Sequence, residues 1–429
     1  MNEYDSNRIL DLVKTSGYSA TKDIKESNCF ILNTCHIREK ATEKVYHEIG
    51  RVKKEFVGKT KPIVLVTGCV AQAEGSEMLK RENYIDGVIG PQSYQEIPEI
   101  IKKIELKKIK INHTEFDTIE KFDKLNLIKN TNSKISSFLT IQEGCDKFCH
   151  FCVVPYTRGP EHSRSFNEII LEARQLVDNG VKEITLIGQN VNAYLYDQYK
   201  LSDLIKALEN LKGLLRIRFT TSHPKDMTKD LMETFGVSKK LMPILHLPVQ
   251  SGSSNILKLM NRKHSIEEYY KIIEELIKIK PNIKFTSDFI IGYPGETELD
   301  FLQTIELMKK IKFINSFSFI YSNRPGTPAG KLSVIEEVIS KRRLKIFQET
   351  SNLIKREYRK RLINTDTKVL FENKVKEKNK YFGRDEFLNS VIVESSDNIT
   401  GKIKNVNLKD FNHNTLFGEI IKDNKDVAA

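Results

Sequence analysis

The spacing of apolar residues changes character along the chain. Near the start, Ile9, Leu12 and Val13 recur at helical spacing and share one face. From residue 29 to about 105, short apolar runs alternate with amphipathic stretches: "CFILNTC" leads into "REKATEKVYHEIGRVKK", "PIVLVTGCV" into "AEGSEMLKR", and "IDGVIGP" into "YQEIPEIIKKI". That alternation predicts a small α/β domain over residues 1–105 with a mostly parallel sheet. Residues 106–132 carry many charges and weak periodicity, so they read as a linker with room for one short element. The alternation then resumes. Six strands are expected at "FLTIQ", "EITLIGQN", "RIRFTTS", "ILHLPVQ", "IKFTSDFIIG" and "SFSFIYS", with helices such as "EIILEARQLVDNG" between them. Six βα units are too few to close an eight-stranded barrel and fit a partial one over residues 133–362, with helical sequence at its end. The last stretch, 363–429, changes again to short β-like runs split by Gly, Asn and Asp, the pattern of a small all-β barrel that often holds nucleic acid.

Composition narrows the class. An apolar fraction of 39% is ordinary for a soluble protein, no run reaches the roughly 18 apolar residues of a membrane span, and no signal peptide is evident, so the cytoplasm is the default. The 69 Lys and Arg against 57 Asp and Glu leave a formal charge of +12, which suits a polyanionic partner, although Lys-rich genomes also raise basicity. Residues 341–361 concentrate nine basic side chains, either as a solvated helix face or as an RNA-facing surface. The six cysteines, Cys29, Cys35, Cys69, Cys145, Cys149 and Cys152, fall in two groups, and in a reducing compartment such grouping favours metal or redox chemistry over disulfides.

In "IQEGCDKFCHFCVVPYTRG" the triplet Cys145, Cys149, Cys152 has the spacing C-x3-C-x2-C directly after a strand. Three thiolates on one loop can hold three corners of a 4Fe-4S cube and leave the fourth iron for an outside ligand. A structural zinc would want a fourth protein ligand. His150 is at hand, but wedged between Cys149 and Phe151 it is awkward for a shared tetrahedron.

With Phe151 as the aromatic before its last cysteine, this motif resembles the radical S-adenosylmethionine superfamily. The further motifs "NTCHIREKA", "TGCVAQ", "LIGQNVNAY", "FTTSHPKD", "HLPVQSGS", "LKLMNRK", "GYPGET" and "FIYSNRPGTPA" resemble, over nearly the whole chain, the methylthiotransferases of the tRNA-2-methylthio-N6-dimethylallyladenosine synthase type. The resemblance implies an N-terminal methylthiotransferase domain, a radical domain and a C-terminal TRAM barrel. It also implies two 4Fe-4S clusters: one on Cys145, Cys149 and Cys152 that cleaves S-adenosylmethionine, and a second, on Cys35 and Cys69, that handles sulfur. The expected reaction is methylthiolation at C2 of N6-isopentenyladenosine 37 in a tRNA anticodon stem-loop. An electron donor such as flavodoxin or ferredoxin is implied, the sulfur donor is not indicated, and a monomer without membrane contact is expected. Two rivals stand beside it: the same chemistry on N6-threonylcarbamoyladenosine, and a non-catalytic RNA-binding protein with structural zinc.

Residues at later strand ends are expected around the cofactor: Gly188, Gln189 and Asn190 for the methionyl moiety, Gly292 and Gly295 for adenine or ribose, and Ser222, His223, Gln250, Ser251 and Asp288 as further candidates. A glycine there is otherwise a turn, and a polar residue a structural hydrogen-bonding group. His246 alternates with apolar neighbours and reads equally as a core histidine. Tyr156 and Arg158 are candidates for RNA contact or for loop packing. Lys368, Lys374, Arg384, Lys402 and Lys404 are candidates for phosphate contact on the terminal barrel.

Relatives of this type read Gly-Cys-Gln before the "MNEYDS" of residues 1–6, which places a third cysteine of the second cluster two residues upstream of Met1 and implies an upstream start and a missing first strand. Cys29 does not replace it: six residues of strand before Cys35, at about 3.3 Å each, put it roughly 20 Å away, so it reads as a core cysteine.

Overall fold

The computed structural model describes residues 1–35, 40–115, 118–324, 326–377 and 379–421. Residues 36–39, within the "NTCHIREKA" motif, lie outside the described residues. Two compact units divide the chain: residues 1–131, 140–148 and 152–175 form one, and residues 132–139, 149–151 and 176–429 the other.

In the first unit, strands β1 (Cys29–Thr34), β2 (Ile63–Gly68), β3 (Gly87–Ile89) and β4 (Ile111–His113) pair in that order, all parallel. The sheet is covered on both faces, which is why β2 is apolar throughout rather than alternating. Val64 and Val66 pack against Val45, Ile49 and Val52 of one helix, Lys40–Glu55, and against Phe56 just after it. Leu65 turns the other way, into a core with Ile9, Leu12 and Val13 of the first helix, α1 (Asn2–Thr15), and with Ile97, Ile100, Ile101 and Ile104. Each such side chain, fully buried, contributes roughly 1.5–3 kcal/mol. The stretch read as linker supplies β4 and a helix over Thr118–Asn126, whose Phe122 and Leu125 join the same core.

In the second unit, β5 (Ser136–Thr140), β6 (Glu183–Ile187) and β7 (Arg216–Phe219) form one parallel group, and β8 (Ile244–His246), β9 (Lys284–Ile291) and β10 (Asn315–Ile320) another. A parallel bridge between Ile217 and Leu241 joins them, so six strands make the expected partial barrel. From Ser287 onward along β9 the period of two is plain: Ser287, Phe289 and Ile291 are buried while Asp288 and Ile290 are partly open. On β10, Phe317 and Phe319 are exposed.

The C-terminal strands β11 (Asp366–Lys374), β12 (Lys380–Arg384), β13 (Ser390–Glu394), β14 (Ile403–Phe411) and β15 (Thr415–Ile420) close a barrel in the order β11-β12-β13-β15-β14. Val369, Phe371, Val391, Val393, Val406, Leu408 and Leu416 fill it. Two buried arginines of β7 hold it to the partial barrel. Arg216 donates to the backbone oxygens of Arg384 and Lys368, and Arg218 to those of Asp385 and Glu386, while Glu183 lies 3.1 Å from Arg218 Nε. The basic run lies on the helix Glu337–Leu362, and two of its arginines turn inward: Arg343 pairs with Glu296 and Glu298, and Arg359 donates to the Asn412 and His413 carbonyls. That run is therefore neither wholly a solvated face nor wholly an RNA surface. No helix among the described residues is long and apolar enough to cross a membrane.

Candidate functional site

The N-terminal sheet brings two cysteines to neighbouring strand ends. Thr34 of β1 is paired in register with Gly68 of β2, so Cys35 and Cys69 each follow one member of that pair. The approach is close: Thr34 Oγ1 donates to the Thr67 carbonyl at 2.6 Å, and a Cβ on Gly68, whose φ is +94°, would stand 2.2 Å from the Thr34 oxygen. Only glycine fits there. Cys29, at the far end of β1, packs into the apolar core, and burial followed by Glu105 pushes its thiol up to about 12.

Beside Cys69 lies a buried charge cluster. Arg158 is 3% exposed; its Nε donates to Cys69 Sγ at 3.2 Å, its Nη2 to Asp5 at 3.0 Å and its Nη1 to Glu143 at 3.4 Å. Lys121 pairs with Glu143 and approaches Asp5 to 3.9 Å. Burial opposes Arg158's charge, but Cys69, Asp5 and Glu143 outweigh it and hold the guanidinium firmly protonated. Burial likewise works against an ionised Asp5, which Arg158 and Lys121 nevertheless hold below the usual carboxylate range. Of the two alternatives for Arg158, contact with RNA or packing within the protein, the buried guanidinium with its donors engaged inside the protein fits the second, whereas Tyr156 is 48% exposed and stacks edge-on with Phe148.

The loop of the cysteine triplet is tightly drawn. Gly144 has φ +73° and an added Cβ would meet the Pro160 carbonyl at 1.8 Å, while the Cys145 N–H donates to Gly159 O at 3.2 Å. Phe148 holds a left-handed φ of +48°, a strained value for a bulky residue. In the second unit Cys149 is buried and accepts from Arg262 Nη1 at 3.6 Å, and Arg262 also donates to the Pro248 carbonyl. His150 is engaged elsewhere: its backbone bonds Met260 and Ala329, and Nδ1 lies 2.9 Å from the Leu259 oxygen. Phe151 packs on Ile256, Met260, Tyr293 and Tyr321. Three soft cysteine sulfurs in one loop, with a guanidinium beside one of them, suit an anionic iron–sulfur group.

The cofactor candidates of the second unit gather at the C-terminal ends of parallel strands, where ligands bind in such folds. Gly188, Gln189 and Asn190 follow β6, and Asn190 donates to Asp226 at 2.7 Å. Ser222 follows β7 beside Thr221, whose φ is +68°, and its buried Oγ has no hydrogen-bond partner among the described residues. Gln250 carries φ +76° between backbone bonds to Asp288 and Ile290. Asp288 lies 3.5 Å from His246 Nε2, and His246 Nδ1 sits 2.9 Å from Thr286 Oγ1, so this histidine is on the open face of the strands rather than in the core. Gly292, with φ +70°, leaves room for Ser340, and Gly295 faces Leu259. Ser251 is buried against Thr304 and Ser253, a structural arrangement. His223 accepts from the Lys225 N–H.

On the terminal barrel, Lys368, Lys374 and Lys402 are exposed and Lys404 is partly so, while Arg384 pairs with Glu372. The participation of Arg158, Arg262, Asp5 and Glu143 was not foreseen. Their partners are up to 153 residues away, and only the position of Arg158 next to the cysteine loop could have pointed to it.

Residues 139–308 match the radical SAM superfamily, and residues 1–90 a family described as uncharacterised, UPF0004. The chain is 59% identical over 435 aligned positions to the tRNA-2-methylthio-N6-dimethylallyladenosine synthase of Pelagibacter ubique, covering 100% of this chain and 97% of that protein. It is 48% identical to the synthase of the same name from a Wolbachia of Culex pipiens, covering 97% of each. Among solved structures, the radical S-adenosylmethionine methyltransferase TsrM of Kitasatospora setae shares the fold, with a TM-score of 0.56 at 12% identity over 77% of this chain and 74% of that one. With strand-end cysteines, a C-x3-C-x2-C loop and a closed terminal barrel in one chain, and near-full-length identity to these synthases, this chain belongs to the tRNA-2-methylthio-N6-dimethylallyladenosine synthase family of radical SAM proteins.

Proposed function

We propose that this chain is a tRNA methylthiotransferase that converts N6-isopentenyladenosine at position 37 into its 2-methylthio derivative, with S-adenosylmethionine as methyl donor and radical source. The observation that carries the reading is the C-x3-C-x2-C loop at the end of the first barrel strand, in a chain 59% identical to a named synthase along its whole length. In this reading Cys145, Cys149 and Cys152 hold a 4Fe-4S cluster. When bound, that cluster and its cofactor supply an electron and a hydrogen-abstracting radical.

The chain's own residues orient and shield. Phe151 and its apolar neighbours wall off one side of the loop, and Arg262 neutralises charge at Cys149. Gly188, Gln189, Asn190, Ser222, Gln250, Asp288, Gly292 and Gly295 frame the S-adenosylmethionine pocket. Cys35 and Cys69 belong to a second 4Fe-4S cluster that handles sulfur. The exposed lysines of the terminal barrel meet phosphates of the anticodon stem-loop, with a salt dependence that follows from counterion release. An unstacked loop adenosine is easier to reach than one in an A-form stem. The expected setting is the cytoplasm, as a monomer reduced by a flavodoxin or ferredoxin, with the domains bounded near residues 105, 132 and 362.

Mass spectrometry of tRNA nucleosides from a deletion strain tests the substrate. Loss of 2-methylthio from the isopentenyl nucleoside, restored by the gene, is the expected result. Loss from the threonylcarbamoyl nucleoside alone would transfer the activity to that substrate, and colourless protein holding zinc would end the enzymatic reading.

A further inference from the structure

We infer that a cavity of about 370 Å³ between strands β8–β10 and the turn after β12 is a subsite for one nucleotide of the RNA: the base lies against Phe317 and His246, and the phosphate meets Lys355 and Arg359. The assignment rests on the tRNA reading above. Two cations line this cavity and no carboxylate does. Lys355 and Arg359 stand four residues apart on the helix Glu337–Leu362, so their charges repel. Burial, and then the charge of Arg359, pull the Lys355 ammonium below its ordinary value, and neither cation is ion-paired to a carboxylate among the described residues. Arg359 is 6% exposed; its Nη1 is engaged by the Asn412 and His413 carbonyls, while its buried Nε has no partner among the described residues. Two like charges held together without a counter-charge destabilise one another, and a phosphate supplies that counter-charge through charge-assisted hydrogen bonds.

The opposite wall suits a base. Phe317 of β10 is 49% exposed, and His246 meets it edge to face with ring centroids 6.5 Å apart. The histidine ring is itself fixed on both sides, by Thr286 Oγ1 at 2.9 Å and by Asp288 at 3.5 Å. Leu388, also on the wall, is exposed and holds a φ of +64°, a conformation that bulky residues rarely adopt. The turn imposes it: the Asp385 carboxylate accepts from the N–H groups of Phe387 and Asn389 on either side. Small-ligand sites span roughly 300–1,000 Å³, so this cavity has room for one nucleotide and not for a run of strand. Unstacked RNA bases settle on aromatic side chains, and an aromatic wall facing a cationic one recognises base and phosphate together, which free phosphate alone does not use.

The test measures binding of a synthetic anticodon stem-loop carrying isopentenyladenosine, by fluorescence anisotropy at several salt concentrations, to the full chain and to its Lys355→Gln and Phe317→Ala variants. Lys355→Gln is expected to reduce the slope of log affinity against log salt by about one, as a single phosphate contact is lost. Phe317→Ala is expected to weaken binding by about tenfold with the slope unchanged. Lys355→Gln should also raise the melting temperature of the free protein, because it removes a half-buried cation beside Arg359; a lysine that merely supports the fold would lower it. Unchanged affinity and slope in both variants, with the wild type binding the stem-loop, would overturn the subsite alone. Inorganic phosphate that raises the melting temperature of the wild type and not of Lys355→Gln, with equal RNA affinity in the two, would transfer the site to free phosphate and overturn the RNA assignment. Failure of the wild type to bind the stem-loop would overturn the tRNA reading and the inference together.

Discussion

Arg262 places its Nη1 3.6 Å from the sulfur of Cys149 while its Nη2 is fixed by the Pro248 carbonyl, so a buried cation is held against one sulfur of the C-x3-C-x2-C loop. Outer partners of metal ligands are typically worth 10–100-fold in affinity or activity. Arg262→Met is expected to lower 5′-deoxyadenosine formation by about that factor, and Cys149→Ala to abolish it. Assays on anaerobically reconstituted protein, with iron counted per chain, check both. Wild-type rates in Cys149→Ala would refute the assignment of the loop.

Gly68→Ala puts a methyl group 2.2 Å from the Thr34 oxygen at a φ of +94°. Strain of this kind costs about 1–3 kcal/mol, and relief requires the ends of β1 and β2 to separate. Denaturant melts should show the loss of stability. Iron bound by protein lacking the 145–149–152 triplet should fall with it.

His264 provides a pH test. Burial, reinforced by the charge of Arg262, pulls its imidazole down to about 4 from the ordinary 6.5. The unfolded chain therefore binds a proton between these values that the folded chain refuses. The stability this histidine contributes is fully present above about pH 6.5 and is lost as pH falls towards 4, by up to roughly 3 kcal/mol at about 1.4 kcal/mol per unit. Urea midpoints measured from pH 7.5 down to 4.5 should decline, and His264→Gln should flatten that decline. A parallel decline in the variant would remove His264 as its source.

Arg218 joins β7 to the terminal barrel through Asp385 and Glu386 and neutralises Glu183. Arg218→Ala leaves a carboxylate and two carbonyls buried without their donor, a loss of about 3–5 kcal/mol. Limited proteolysis should then cut near residues 363–365, ahead of β11, where the intact protein resists.

The isopentenyl group governs the last prediction. Burial of its five carbons, at about 0.8 kcal/mol each, is worth at most roughly 4 kcal/mol, or about a thousandfold in kcat/KM. Unmodified tRNA should react more slowly by up to that factor. Equal rates on both tRNAs would place recognition elsewhere.

Sequence periodicity located all six barrel strands because each is a short apolar run bounded by turn residues. The cysteine loop was legible for a different reason: its ligands are local, within eight consecutive residues. What stayed hidden is non-local. Strand β4 is three residues long, too short for a period to emerge, and it exists because β3 offers it a free edge. Arg158 looked like a surface cation because nothing near it in the chain reveals Asp5, 153 residues away, or Cys69, 89 residues away. Likewise, Arg343 and Arg359 were indistinguishable from seven other basic residues of their run until their buried acceptors were seen.

The grip of Arg216 and Arg218 on the terminal barrel falls on main-chain oxygens, those of Lys368, Arg384, Asp385 and Glu386, and on none of their side chains. Attachment therefore constrains the backbone of β11, of the end of β12 and of the turn after it through oxygens that every residue carries; of these four residues Asp385 is further fixed by its buried carboxylate, which accepts from the Phe387 and Asn389 N–H groups. Side chains on the barrel can be exchanged over evolutionary time to suit a different set of tRNAs while the joint stays intact, so that change of clientele and retention of architecture are separable in this protein.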